Sequence, residues 1–322
     1  MRQALGLPFV FFGGKGGAGK TTLATAHALG CARDGWRTLL VSTDPAHSTS
    51  DVLGVALDSE ARPVTSGLWA VELDPSVEAE RYISDVAERI GQAVPPRLAR
   101  EVQHQLGVAR ASPGAEEAAL FDRFTRIIDE SRFERVVFDT APSGITVRLL
   151  SLPDQMEAWA RALAVQRRKV AALGRMWRNA GGGAAGSEAK PGDVVLDALE
   201  ERRGRFERAR DALRDPRRTA FVFVTLAERL PVLETHRIMT ALRDAGIPVG
   251  GVIVNQLLPA APGDPFLARR KAREAAHIAD IEVRFGSWPI YTAPLLDGDP
   301  VGAEALLDLL TLVKEKTGEA VR

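Results

Sequence analysis

The chain has 322 residues, with 42 basic and 42 acidic side chains and a formal net charge of zero. Its length suits one large α/β domain or a core with an inserted subdomain, and its charge argues against a nucleic-acid partner. The single cysteine, Cys31, excludes a disulfide framework and a cysteine-rich metal site. We expect a soluble, cytoplasmic protein, because no signal sequence opens the chain and no apolar run is long enough to span a membrane.

A glycine-rich loop is the first motif along the chain. It covers Gly13–Thr22, follows the apolar run Phe9–Phe12 and precedes a predicted helix, Leu23–Cys31. A strand, such a loop and a helix in this order form the context of a phosphate-binding P-loop. The glycines allow sharp turns that direct backbone N–H groups toward phosphate oxygens, and the helix N-terminus adds partial positive charge. The motif therefore predicts a nucleoside triphosphate site.

The two lysines of this loop are predicted to have different tasks. Lys20 pairs with the β- and γ-phosphates, while the hydroxyl of Thr21 coordinates Mg²⁺. A standard P-loop does not need Lys15, which either reaches the phosphates bound by a neighbouring subunit, as an arginine finger does in trans, or neutralises the nucleotide of its own chain. The trans alternative makes hydrolysis depend on a dimer. The other nucleotide-binding residues predicted here are Gly16, Gly17, Gly19 and Thr22.

The second motif, Ser42–Asp51, directly follows a predicted strand. Open α/β sheets present their reactive groups at the carboxyl ends of the strands. We therefore predict that Asp44 positions the attacking water and helps to deprotonate it. Ser48 is predicted to contact Mg²⁺ or phosphate as part of a switch loop, whereas His47 and Asp51 are predicted to cap or order that loop.

The third motif, Val136–Gly144, is again an apolar strand that ends in an aspartate. Asp139 has the position of a Walker-B residue, which holds Mg²⁺ through water. Pro142 and Gly144 follow in a loop that is predicted to change shape when the γ-phosphate leaves. A P-loop and two strand-end aspartates together predict a site for nucleotide hydrolysis.

Strand-like apolar runs alternate with helical patterns, which is typical of an α/β fold with a doubly wound, mostly parallel sheet. The predicted strands are Pro8–Phe12, Arg37–Ser42, Leu68–Leu73, Arg135–Asp139, Thr219–Thr225 and Val249–Asn255. Two long stretches, 76–130 and 154–216, have helical patterns without a convincing strand and predict a helical subdomain inserted into the P-loop core. The nucleotide-binding core then consists of three segments, 1–75, 131–153 and 217–322.

The helical stretches contain the candidate contacts for a partner. A glycine-rich break at 181–187 predicts a mobile loop. An apolar stripe at near-helical spacing either lines a client groove or packs inward as core. Its residues are Met156, Trp159, Leu163, Val170, Leu173 and Trp177. Between Arg161 and Arg218 basic residues outnumber acidic ones, which indicates either solvated helix faces or a surface for an acidic or phospholipid partner.

The motifs together resemble one known family, which contains the arsenite-pump ATPase and the tail-anchored-protein targeting ATPase. The resemblance lies in Lys15–Thr22, in Asp44–Ser48 with Ser50 and Asp51, and in Asp139–Pro142. Later blocks of the family match in order and rough spacing at Glu228, Glu234–Thr235, Val254–Leu257 and Pro294–Leu296. The resemblance covers the nucleotide core from end to end, whereas the helical stretches match only in position and character.

This resemblance implies a homodimeric ATPase that uses ATP and Mg²⁺. It makes Lys15 the intersubunit lysine, Asp44 the water-activating residue and Asp139 a switch II carboxylate. Zinc is not expected, because the Cys-x-x-Cys pair that binds zinc between subunits in the eukaryotic type of targeting ATPase is missing from this sequence.

The resemblance also implies an adenine site late in the chain. Asn255 is expected to contact the edge of the base and Pro294 to flank it, while Glu228 lies near the nucleotide across the dimer. From its own pattern, Asn255 is a strand-end turn residue. Two departures stand out: Ala18 replaces a usual valine harmlessly, whereas Ile145 replaces a usual histidine and removes a polar group from the relay between nucleotide and client.

The leading hypothesis is that ATP-driven opening and closing of a homodimer controls the binding and delivery of hydrophobic membrane-protein clients. The expected partners are a second copy of the chain and a hydrophobic helical client or membrane partner, not nucleic acid. The first alternative is the energy-coupling ATPase subunit of an anion or arsenite efflux pump. Trivalent arsenic needs thiolates, however, and Cys31 is interpreted as a small buried apolar residue.

A positioning or partition ATPase is the second alternative. That class predicts a basic DNA surface or a C-terminal amphipathic membrane anchor. The leucine-rich stretch Glu304–Lys316 lacks the strongly basic polar face of a membrane helix and is predicted to close the core. A nitrogenase-type reductase is excluded, because its iron–sulfur cluster needs more cysteines than the chain has.

Overall fold

A computed structural model describes most of the chain: residues 5–43, 48–93, 115–130, 132–140, 191–259 and 264–316, with the side chains of 86, 89–93, 117 and 191–199 left out. Within these residues the strands are β1 (Phe9–Gly14), β2 (Thr38–Ser42), β3 (Arg62–Thr65), β4 (Leu68–Glu72), β5 (Arg135–Asp139), β6 (Thr219–Leu226), β7 (Val249–Leu257), β8 (Ile290–Pro294) and β9 (Lys314–Glu315). The helices are α1 (Lys20–Arg33), α2 (Ser48–Leu53), α3 (Pro75–Ala93), α4 (Ala115–Glu130), α5 (Pro191–Arg214), α6 (Arg229–Asp244), α7 (Pro265–Phe285) and α8 (Ala303–Leu312).

The nine strands form one sheet in the order β3-β4-β2-β5-β1-β6-β7-β8-β9. All neighbours run parallel except the two outermost pairs, β3 with β4 and β8 with β9. Because β1 lies between β5 and β6, the P-loop leaves the sheet at its centre, where ligands bind in open α/β sheets. This arrangement confirms the predicted α/β fold with a mostly parallel sheet.

The sheet forms because its central strands are continuous apolar runs, as expected of parallel strands covered on both faces. The ring of Phe11 stacks between Phe138 and Phe221, with centroid distances of 4.3 and 4.4 Å. On the other face, α1 packs against the sheet and α8. Leu306 and Leu309 of α8 are buried in the main core, which confirms that the C-terminal leucines help to close it.

Three strands escaped the sequence analysis because they are short or polar. β3 is largely exposed and contains Pro63, which a strand tolerates at the edge of a sheet. β9 has two residues, too few to show an apolar period, and β8 contains a polar Thr292 and ends in Pro294. The first strand also continues through Gly13 and Gly14, and α1 begins at Lys20, three residues before the predicted start.

The chain divides into two compact units. The first consists of Met1–Asp74, Glu130–Val147 and Asp211–Arg322, and the second of Pro75–Asp129 and Arg148–Arg210. Within the second unit, the buried carboxylate of Asp122 pairs with Arg126 at 2.9 Å and with Arg202 at 3.1 Å. Phe121 packs against Phe206, with ring centroids 5.0 Å apart. These contacts join helices α4 and α5 of this unit.

Two of the predictions for the helical stretches fall on residues that the structure leaves out. The glycine-rich break at 181–187 and the apolar stripe from Met156 to Trp177 both lie outside the described residues. The client groove therefore stays a prediction. Within the described part of the chain, no helix combines the length and the apolar composition needed to cross a membrane.

Candidate functional site

The P-loop connects the end of β1 to the start of α1. Gly19, the residue before α1, has a φ of 89°, a conformation that side chains other than glycine rarely adopt. A Cβ atom at Gly19 would also collide with the side-chain amide of Asn255. Gly14 has a φ of 136°, and a Cβ there would collide with the carbonyl oxygen of Val224. The loop thus needs glycine at both ends for conformation and for space.

Lys20 is buried inside this loop. Its ammonium group donates a hydrogen bond to the backbone oxygen of Lys15, over 3.2 Å, so the loop curls around the cation. Gly16 and Gly17 form the exposed rim, with open space around their α-carbons. Backbone N–H groups, a buried cation and a helix N-terminus therefore surround one position, which is the arrangement that binds phosphate.

The predicted metal ligands lie together. The hydroxyl of Thr21 donates to the Oδ2 atom of Asp139 over 2.7 Å and lies 3.1 Å from the hydroxyl of Ser48. Asp139 is fully buried at the end of β5. Three motifs that are far apart in sequence thus meet at one point. Their oxygen atoms form a hard donor set that fits Mg²⁺, which prefers carboxylates, hydroxyls and water.

Sheet register explains why these groups meet. Asp139 lies opposite Phe12 of β1 on one side and Ser42 of β2 on the other, and Ser42 lies opposite Glu72 of β4. The polar residues therefore form a row along the carboxyl edge of the sheet, beside the P-loop. Glu72 was missed by the sequence analysis. Its signal was an acidic residue at the end of an apolar strand, the same signal that identified Asp139.

A second candidate site, a cavity, lies at the ends of β6 and β7. A cavity of about 830 Å³ opens there, lined by Glu228, Asn255 and Leu295, among others. Leu295 directly follows Pro294, the last residue of β8. Asn255, predicted to contact the adenine edge, thus lines this cavity and Pro294 lies next to it, while Glu228, predicted to act across the dimer, also lines it. Helix α7 adds a basic wall that the sequence analysis missed, formed by Arg269, Arg270 and Arg273.

Asn255 makes a contact that the sequence did not predict. It is buried, and its side-chain amide donates to the backbone oxygen of Ala18 in the P-loop over 2.8 Å. The next residue, Gln256, has a φ of 56° and is the only non-glycine with a positive φ in the described part of the chain. Residues in such sparsely populated conformations often belong to functional sites. The end of β7 therefore contacts the P-loop and stabilises it through the hydrogen bond from Asn255 to Ala18.

Other site residues have weaker structural support. Thr22 is half-buried on the first turn of α1, and Lys15 is half-buried at the entrance of the P-loop. Asp44, His47 and Ile145 lie outside the described residues, so their roles stay predictions. Among the described residues, no group of three or more histidine, cysteine, aspartate or glutamate side chains is placed to hold a metal ion.

Cys31 lies on α1, away from the nucleotide site, and is buried as predicted. Its sulfur is 3.6 Å from the Nε2 atom of His27. Burial raises the pKa of the Cys31 thiol to about 11 and lowers the pKa of the His27 imidazole to about 4. Both groups are therefore neutral at pH 7, and Cys31 is a poor source of thiolate.

Sequence comparisons show that this chain is similar to several proteins named as ATPases. ATPase ARSA1 of Chlamydomonas reinhardtii is 35% identical over 95% of this chain, which spans 42% of that protein. A protein of Aquifex aeolicus, provisionally named arsenical pump-driving ATPase 2, is 32% identical over 92% of this chain and 95% of its own length. ATPase GET3B of Arabidopsis thaliana is 31% identical over 92% of this chain and 76% of its own length.

The match extends over nearly the whole chain. The family model for anion-transporting ATPases covers residues 7–315. The chain spans about half the length, or less, of the curated relatives from Chlamydomonas reinhardtii, Halobacterium salinarum and Acidiphilium multivorum. The resemblance stated from the motifs is confirmed: the chain belongs to the anion-transporting ATPase family.

Proposed function

We propose that this chain is a homodimeric, Mg²⁺-dependent ATPase that couples ATP hydrolysis to the binding and delivery of hydrophobic membrane-protein clients in the cytoplasm. The main support for ATP hydrolysis is the meeting of Thr21, Ser48 and Asp139 beside the buried ammonium group of Lys20. These groups come from the P-loop, the start of α2 and the end of β5, and a P-loop with a strand-end aspartate is found in other P-loop enzymes. The family relationship supports ATP as the substrate.

The buried lysine defines where the phosphates would lie. In this conformation the Lys20 ammonium is held by the Lys15 carbonyl oxygen, a neutral partner that phosphate oxygens would replace with a stronger charge-assisted contact. Thr21 and Asp139 would hold Mg²⁺, with Asp139 acting through water. When bound, Mg²⁺ would supply positive charge that offsets the negative charge developing on the transferring phosphoryl group.

The remaining roles belong to residues predicted from sequence. Asp44 accepts a proton from the water whose oxygen attacks the γ-phosphorus, so that ADP and inorganic phosphate form. Lys15 reaches the phosphates of the other subunit and stabilises the charge there, which makes the dimer the active species. The cavity beside Glu228, Asn255 and Leu295 is large enough for an adenine base.

An anion pump subunit is the second candidate function. It is favoured by the names of relatives, including the arsenical pump-driving ATPase of Acidiphilium multivorum, which is 33% identical over 96% of this chain. Arsenite binding would require thiolates, whereas the chain has one cysteine, which is buried and has a raised pKa. This chemistry favours the client-delivery role.

One experiment separates the two functions. ATP hydrolysis and dimer mass would be measured with purified protein, alone, with a hydrophobic helical peptide and with arsenite. We expect Mg²⁺-dependent hydrolysis that the peptide stimulates, together with a stable peptide complex. Stimulation by arsenite alone would instead support the pump subunit. A protein that forms no ADP under any of these conditions, although it is folded, would contradict the ATPase assignment.

A further inference from the structure

A buried glutamate holds the short helix that follows the second motif. Glu72 ends β4 and is only 2% exposed. Its Oε1 atom accepts a hydrogen bond from the backbone N–H of Ser50 over 3.0 Å, and its Oε2 atom accepts one from the Ser50 hydroxyl over 2.7 Å. Both carboxylate oxygens are therefore directed at a single residue of α2.

This contact meets a specific need of α2. The first N–H groups of a helix have no partner within the helix, and Ser50 is the third residue of α2. Glu72 supplies that partner from a different element, and its negative charge is favourable near a helix N-terminus. The Ser50 hydroxyl also accepts a hydrogen bond from the backbone N–H of Leu57 over 3.2 Å. One carboxylate thus secures both the start of α2 and the loop that follows it.

The same helix carries a residue of the nucleotide site. Ser48, the first residue of α2, lies two positions before Ser50, and its hydroxyl is 3.1 Å from that of Thr21. Glu72 belongs to a strand that is paired in register with Ser42, the first residue of the second motif. The carboxylate therefore links the sheet to α2, the helix that carries Ser48.

We infer that Glu72 is a positioning residue for hydrolysis: through Ser50 it holds α2, and with it the Ser48 hydroxyl, beside Thr21 of the P-loop. The inference rests on the proposed ATPase function. Because Glu72 acts on the site through Ser50, its loss should slow turnover while phosphate binding by Lys20 and the glycines remains. Misplacing a catalytic group by about 1 Å can cost about a hundredfold in rate.

The test compares Glu72→Gln, Ser50→Ala and the double variant. We expect kcat to fall at least about tenfold in each single variant, with KM and ADP affinity within about threefold of wild type. Because both changes remove the hydrogen bond from the Ser50 hydroxyl to the Oε2 atom of Glu72, the double variant should be no slower than the worse single variant. Ser59→Ala is the matched control, since the Ser59 hydroxyl donates to the backbone oxygen of Glu72 rather than to its carboxylate and accepts from the backbone N–H of Asp74; it should retain the wild-type kcat.

A second measurement does not depend on hydrolysis. Amide hydrogen exchange at Ser50 should become faster in Glu72→Gln, because a neutral amide oxygen is a weaker acceptor than the carboxylate. Exchange at Leu57 should become faster in Ser50→Ala, because that change removes the hydroxyl that accepts from the Leu57 N–H. Wild-type exchange at both amides, wild-type kcat in both single variants, or multiplicative losses in the double variant would overturn the inference. If wild-type protein hydrolyses no ATP, the ATPase proposal fails, while the exchange data still decide whether Glu72 anchors α2. If Glu72→Gln does not fold, Ser50→Ala tests the same contact.

Discussion

Replacing Asn255 with alanine distinguishes two roles for this buried amide. The family resemblance assigns it to the adenine edge, whereas the structure shows it donating to the Ala18 oxygen of the P-loop over 2.8 Å. The amide also fills the space directly beneath Gly19. If its main task is to support the loop, its removal should weaken the binding of any nucleotide through the phosphates.

The size of the effect follows from the lost hydrogen bond. Removing one partner of a buried hydrogen bond and leaving a carbonyl oxygen unsatisfied costs about 1–3 kcal/mol. If all of this cost falls on the phosphate-binding conformation of the loop, nucleotide affinity decreases by roughly 5- to 150-fold. The loss should be equal for ADP and GDP, because both carry the same phosphates. A residue that contacts the adenine edge would instead weaken ADP binding selectively.

Isothermal titration with ADP and GDP, in the presence of Mg²⁺, measures both affinities for wild type and Asn255→Ala. A loss confined to ADP, with GDP affinity unchanged, would refute the supporting role and favour base recognition. Unchanged affinity for both nucleotides would refute both roles.

Two further predictions concern the buried pair on α1. Because burial lowers the pKa of His27 to about 4 from 6.5, the unfolded chain binds a proton between these values that the folded chain does not. The free energy of unfolding should therefore decrease by about 2 kcal/mol from pH 7 to pH 5 because of His27. Urea unfolding of His27→Asn should lack this contribution of about 2 kcal/mol. An equal pH dependence of stability in wild type and His27→Asn would contradict the prediction. Burial raises the pKa of Cys31 to about 11 from 9.0. Iodoacetamide at pH 8 should therefore alkylate Cys31 in the folded protein at least about a hundredfold more slowly than in the unfolded chain. Equal alkylation rates for the folded and unfolded protein would contradict this prediction.

The parts of the site that could be predicted are those built from local patterns. The P-loop combines a strand, glycines and a helix within a short segment, and Asp139 ends an apolar strand. Because the carboxyl ends of parallel strands lie at one edge of a sheet, the meeting of Thr21, Ser48 and Asp139 follows from assigning three motifs to one parallel sheet. The structure then supplies the register that brings their side chains together.

The parts that could not be predicted depend on contacts between distant residues. Asn255 and Ala18 are 237 positions apart, and no local pattern indicates that their groups meet. Glu72 ends an apolar strand as Asp139 does, but its role depends on a contact with Ser50, 22 positions away, that no local pattern indicates. The edge strand β3 was missed because it is short and largely exposed, so apolar periodicity carries little information about it.

Mixing two inactive variants would test the proposed ATPase dimer most directly. Lys15→Ala and Asp44→Asn should each abolish hydrolysis, because one removes the lysine given to the partner and the other the group that activates water. In a mixed dimer, however, the Lys15→Ala subunit keeps Asp44 and receives an intact Lys15 from its partner. One of the two nucleotide sites of the mixed dimer is therefore complete. An equal mixture that exchanges subunits freely should therefore regain about a quarter of the wild-type rate. An inactive mixture, in which mixed dimers are detected by mass, or full activity of Lys15→Ala alone, would contradict the proposal that Lys15 acts across the dimer.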